Sequence, residues 1–203
     1  MRFHLTYEGP LRGAGSARPD HKHAIRRALH RQLKRLWQVH PFLKASKHGV
    51  YQAAPHIDPN LLMWEGLAQR HVIGSYRCVP LVREELALIC SLDILFLRSD
   101  GGGNIIKSAD IDARLKTLFD ALKQPREPGD LGTSQTPEEG EDPFFCLLED
   151  DKLITHVSVE TDVLLEPTSP QMTESEFVHD ARLVIDVHIR PYSLTMGNIG
   201  FGS

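Results

Sequence analysis

The run Leu86-Ala-Leu-Ile-Cys-Ser-Leu-Asp-Ile-Leu-Phe-Leu97 carries the most weight for the fold. Only Ser91 and Asp93 interrupt its apolar character. A strand with one wet face alternates, whereas a near-continuous apolar run marks a strand enclosed within its sheet. The pattern predicts a strand over residues 85–98, central in its sheet. Upstream, residues 72–82 read as a second strand, residues 61–70 fit a short helix, and residues 2–8 alternate as a further strand. Downstream, Ser99-Asp-Gly-Gly-Gly-Asn104 is a flexible turn. It lacks G-K-[ST] and is no phosphate-binding P-loop. Residues 112–123 then set Leu115, Leu118, Phe119 and Leu122 at the spacing of one helix face. Residues 153–165 and 181–190 are β-rich and flank a polar loop with Pro167 and Pro170. This order predicts a single α+β domain over residues 1–203, with a mixed or mainly antiparallel sheet and two main helices.

The other main helix is expected over about residues 20–38, with Asp20 as its N-cap and His40-Pro41 ending it. Ile25, Leu29, Leu33 and Trp37 lie on its apolar side. Arg26, Arg27, Arg31, Lys34 and Arg35 form a basic face. Residues 1–48 hold eleven Lys and Arg against Glu8 and Asp20, an excess of +9. The rest of the chain therefore carries −13 of a total of −4. Such polarity suits a polyanion at one end of the molecule. The basic face is accordingly expected to track nucleic-acid phosphates, and the competing reading is a solvated surface. Residues 124–143, rich in Pro, Gly and acids, read as a flexible acidic insertion.

His21, His23, His30 and His40 lack an H-E-x-x-H pattern or an accompanying cysteine cluster, and are expected at the surface. Cys78, Cys90 and Cys146 have no C-x-x-C spacing. They are expected to be buried, reduced thiols of a cytoplasmic protein. No apolar run approaches the roughly 18 residues of a membrane span, and no membrane association is expected.

The chemistry concentrates in Asp110-Ile-Asp-Ala-Arg-Leu-Lys-Thr-Leu-Phe-Asp-Ala-Leu122 and in Glu149-Asp150-Asp151. If the chain is still extended at its start, Asp110 and Asp112 point to the same side. On the helix, Asp112, Lys116 and Asp120 form a drifting stripe beside the apolar face. Hard divalent cations take oxygen ligands, often one or two carboxylates completed by water and phosphate. Asp110, Asp112 and Asp151 could hold Mg²⁺, which polarises a phosphate and activates water. Lys116 would then offset charge on the phosphate as a fixed cation. The bland alternative makes Asp112 an N-cap, Lys116 a partner in surface helix pairs, and Asp150-Asp151 a solvated turn.

The order Asp-x-Asp-x-x-x-Lys-x-x-x-Asp-Ala-Leu, followed by an acidic pair before a β-segment, resembles the RusA-type Holliday junction resolvases. In that family the run reads Asp-x-Asp-Asn-x-x-Lys, and the later Asp-Asp pair follows a short aromatic-containing segment. The resemblance spans about residues 86–165. It implies that Asp110 and Asp112 are the paired metal-binding aspartates, Lys116 the catalytic lysine and Asp151 a further metal ligand. Phe144 and Phe145 fall where the family has its aromatic. It also implies a RusA-like fold and a homodimeric endonuclease that uses Mg²⁺, with Mn²⁺ as a substitute, and no small-molecule cofactor. Its substrate would be branched DNA, cut with paired nicks during DNA recombination or repair, often in a phage-related setting. Ala113 stands in place of the family's Asn, Ala109 where a basic residue often precedes the first Asp, and the loop before the acidic pair is longer. These departures motivate a second hypothesis: a nuclease-derived module that grips DNA or protein without cutting it. A third is an interaction protein with no nucleic-acid role.

Overall fold

The computed structural model describes residues 1–47, 56–99, 109–173 and 177–202; the side chains of Ala109 and Asp110 lie outside that set. The Asp100–Asn104 part of the expected glycine turn also falls outside it. The chain forms an α+β domain. Seven strands are described: β1 (Arg2–Pro10), β2 (Val72–Ile73), β3 (Tyr76–Val82), β4 (Leu88–Arg98), β5 (Phe144–Leu148), β6 (Ile154–Val163) and β7 (Asp180–Pro191). Four helices are described with them: α1 (Pro19–Val39), α2 (Pro41–Ala45), α3 (Met63–Arg70) and α4 (Ala109–Leu122).

The larger sheet has the order β1-β7-β4-β6. β7 runs antiparallel to both β1 and β4, while β6 runs parallel to β4. The apolar run of the sequence is thus an interior strand, as its composition predicts. Its alternate residues Leu92, Ile94 and Phe96 are fully buried beside Val187, Ile185 and Leu183 of β7. The opposite face shows His4, Asp186, Asp93 and Ser158 in one cross-strand row. The sheet is therefore mixed, with one apolar face against the core and one polar face.

The expected strand over 72–82 is divided. Gly74 adopts φ +57° and turns β2 back on β3. The expected strand over 85–98 begins later, because Glu84–Leu86 is a 3₁₀ turn closed by Ala87 in the left-handed region. β3 pairs in parallel with β5, a strand whose five residues are all buried. Phe144 and Phe145 are thus strand residues of the interior.

α1 starts with Pro19 at its first position, where a missing N–H is harmless. Asp20 is therefore not the N-cap. It accepts hydrogen bonds from the backbone N–H and hydroxyl of Thr133, at 2.7 and 2.6 Å. Ile25, Leu29, Leu33 and Trp37 enter the core. The loop over 124–143, expected as a flexible insertion, has definite structure and contacts. It contains a 3₁₀ turn, Pro128–Leu131, whose Leu131 is fully buried, and it is fastened along α1. Cys78, Cys90 and Cys146 are free and buried. Among the described residues no helix is long and apolar enough to cross a membrane.

Candidate active site

The C-terminal half of α4 and the acidic turn lie side by side. β5 ends at Leu148, whose carbonyl accepts the Gln124 N–H at 2.8 Å. This bond ties the exit of α4 to the exit of β5. Glu149, Asp150 and the 3₁₀ turn Asp151–Leu153 follow immediately. The local hydrogen bonding fixes this turn: the Glu149 N–H donates to Val82 O, and Asp150 accepts the Lys152 N–H.

Lys123 stands at the centre. Its ammonium lies 3.0 Å from Asp120 Oδ1 and 2.8 Å from Asp151 Oδ2. The other oxygen of Asp120 takes Lys22 from α1 at 2.6 Å. Arg126 binds Asp150 at 2.8 Å and lies 3.7 Å from Asp151. Three carboxylates and three cations thus alternate in one chain of contacts. Lys123 and Asp120 are largely sheltered, with side chains 10% and 17% exposed, while Asp151 is 37% exposed. Burial alone would raise the Asp120 pKa, but the bonds from Lys22 and Lys123 outweigh it and hold the carboxyl below its ordinary value. Burial opposes the charge on Lys123, yet Asp151 and Asp120 hold its pKa above that of a free lysine. Asp150 is held low chiefly by the Lys152 N–H, with help from Arg126.

The sequence-predicted residues divide between the two ends of α4. Helix geometry already holds at Ala109, so positions 110 and 112 lie about 200° apart around the axis. The extended arrangement that would put both aspartates on one side is absent. Asp112 and Lys116 are exposed. Asp120 lies eight residues beyond Asp112, a rise of about 12 Å. Asp151 joins Asp120 and Lys123 and is therefore set apart from Asp112. The sequence stripe is real, but the acidic turn completes its far end. Among the described residues no three His, Cys, Asp or Glu side chains converge as metal ligands. The described carboxylates therefore do not fit a preformed three-carboxylate Mg²⁺ centre; the pair that does converge holds an ammonium. Lys123 was not among the candidate residues, and its one sequence signal is its place three residues after Asp120.

The basic face of α1 is also corrected. Arg26 is buried and donates to three carbonyls: Asp120 O at 2.8 Å, Asp130 O at 2.9 Å and Lys123 O at 3.1 Å. It is a structural guanidinium with no free face for a phosphate. Arg27 pairs with Glu138 at 2.6 Å and Glu141 at 3.0 Å, and Lys34 donates to Gly140 O at 2.6 Å. These side chains hold the acidic loop. Arg31 and Arg35 are exposed and have no ion-pair partner among the described residues.

The histidines depart from their expected surface places as well. His23 and His30 are both buried and stack on Phe144, at ring separations of 5.5 and 4.6 Å. The Phe145 N–H donates to His30 Nδ1 at 2.8 Å, so the other ring nitrogen carries the proton and meets Gly140 O at 3.2 Å. Burial, assisted by Arg26 and Arg27, pushes the His23 pKa down to about 4. These rings are neutral packing elements between α1 and β5.

Comparison with family models, with curated proteins and with solved structures finds no match.

Proposed function

We propose that this protein is a metal-dependent endonuclease of the RusA type acting on branched or duplex DNA, with the α4 stripe and the acidic turn as its reactive edge. The observation that carries the reading is the contact between these two motifs. Residues 28 apart, Lys123 and Asp151, meet across α4 and the turn at 2.8 Å. The contact fastens the acidic turn to the C-terminal end of the α4 stripe. The order of Asp110, Asp112, Lys116 and the acidic pair supplies the resemblance to a phosphodiester-cleaving family. What the chain itself contributes is Asp120 and Asp150, held in their ionised forms, together with exposed Lys116 on α4 and exposed Arg31 and Arg35 on α1 for phosphate contacts.

One specific observation favours the second reading, a module that binds nucleic acid without cutting. Asp120 and Asp151 are already neutralised by Lys22, Lys123 and Arg126. A gel series of four-way, duplex and single-stranded DNA, with and without Mg²⁺ or Mn²⁺, separates the two. Nuclease chemistry gives metal-dependent products from the wild type and none from D112N, with both proteins equally folded. The binding reading gives shifted complexes in chelator and no products with metal. Undiminished cleavage by D112N would remove Asp112 from the site.

A further inference from the structure

The larger sheet has two edges, and they are treated differently. On β1 the edge is blocked. Thr6 donates its backbone N–H to Gln32 Oε1 at 2.9 Å and accepts from Gln32 Nε2 at 2.7 Å, so a side chain of α1 takes the place of a neighbouring strand. The other edge, β6, is terminal in the sheet, and among the described residues nothing pairs with its outer side. Only Ile154 and Val159 of this strand pack against the core. Thr155, His156, Val157, Ser158 and Glu160 are all exposed, and the apolar Val157 and Val163 are 37% and 40% exposed. An open edge with apolar members is a template for another strand, and proteins normally blunt it.

The chemistry of β6 says which strand fits. The segment His156-Val157-Ser158-Val159-Glu160 reads as a palindrome about Ser158: valine on each side, then a histidine facing a glutamate. Thr155 and Thr161 continue the symmetry, although Thr155 is bulged against β4 and closes the regular part of the ladder. In an antiparallel pair centred on Ser158, Val157 lies across from Val159 of the partner subunit. His156 then lies across from Glu160 of the partner subunit, and every pair occurs twice. Directly opposed apolar pairs and opposite-charge pairs are the favourable cross-strand combinations. Two copies of one strand make a closed, isologous contact.

We propose that β6 pairs antiparallel with β6 of a second copy of this chain, about a two-fold axis at Ser158, joining two four-stranded sheets into one. The contact goes beyond the nuclease reading and does not depend on it.

Sedimentation velocity over a concentration series tests it, with thermal melts to establish that each variant is folded. The wild type sediments as a dimer. H156E sets two carboxylates opposite each other in both copies and weakens association about tenfold; E160K weakens it in the same direction. H156E/E160K sets opposite charges across the axis and returns association towards the wild-type value. S158C, oxidised gently, yields a disulfide-linked dimer because its two sulfurs meet at the axis, whereas D162C, far from the axis, does not. The three native cysteines are buried and leave this readout clean. A wild type that is monomeric throughout the series overturns the proposal. So does a dimer that is indifferent to H156E and that S158C fails to lock.

Discussion

Replacing Lys123 with methionine keeps most of the aliphatic stem and removes only the ammonium. The structure sets the size of the effect. Two charge-assisted hydrogen bonds are lost, each of a kind that contributes about 1.5–3 kcal/mol when sheltered. The carboxylates are not stranded, however. Asp120 retains Lys22 at 2.6 Å, and Asp151 retains solvent and Arg126 at 3.7 Å. The expected net loss is therefore about 1–2 kcal/mol, well below the roughly 3–5 kcal/mol of a buried charge left alone. For a chain of this length that lowers the melting midpoint by about 2–8 °C. Urea denaturation with an unchanged slope, run beside calorimetry, measures it.

The pH dependence gives the sign. The Asp120 pKa is depressed in the folded state, so its contribution is complete above the unfolded carboxyl value and disappears as pH falls through the lower, folded one. The Lys123 pKa is raised, so its contribution is complete below the unfolded lysine value and disappears as pH rises through the higher, folded one. The difference between wild type and K123M should therefore be flat from about pH 5 to 9 and shrink beyond both ends. A midpoint equal to that of the wild type would refute the idea that this ammonium holds the acidic turn to α4.

Arg26→Lys should destabilise by about 2–3 kcal/mol in urea, since a single ammonium cannot reach three carbonyls that a planar guanidinium spans, while R31Q and R35Q stay within about 0.5 kcal/mol. In a salt series of DNA binding, R31Q and R35Q should instead each flatten the dependence of log affinity on log salt by about one phosphate contact. Because the folded His23 pKa is depressed to about 4, stability should fall as pH drops from the ordinary histidine range towards that value, and H23F should flatten this acid limb. Gly132→Ala places a Cβ 2.5 Å from Asp20 Oδ1 at a backbone φ of +63°; limited proteolysis should then cut within 124–143 faster than in the wild type.

The parts of the fold legible in the sequence were those governed by short-range pattern. The apolar run at 86–97 announced an interior strand, and its place between β7 and β6 agrees, although its burial alternates and Asp93 and Leu95 lie on the polar face of the sheet. Leu115, Leu118, Phe119 and Leu122 announced a helix face for the same kind of reason. Residues 124–143 misled because composition speaks to solubility, and the contacts that order this loop come from α1, more than a hundred residues away in places. Arg26, His23 and His30 misled for a related reason. A polar residue on a helix reads as surface until a partner is known, and here the partners are backbone carbonyls and the ring of Phe144. At the candidate site, the stripe on α4 could be drawn from helix geometry alone. Which end of it the acidic turn would join depended on the β5 exit, a strand that five buried residues form without any alternation to reveal it.

Arg26 joins two helices in an unusual way. The carbonyls it binds at Asp120 and Lys123 belong to the exit of α4, where the helix leaves its last oxygens without internal partners. The cap of α4 is thus a side chain borrowed from α1. Neither helix can tilt or slide without uncovering those oxygens, so the two should behave as one mechanical body. In amide exchange their protection should be lost in a single step.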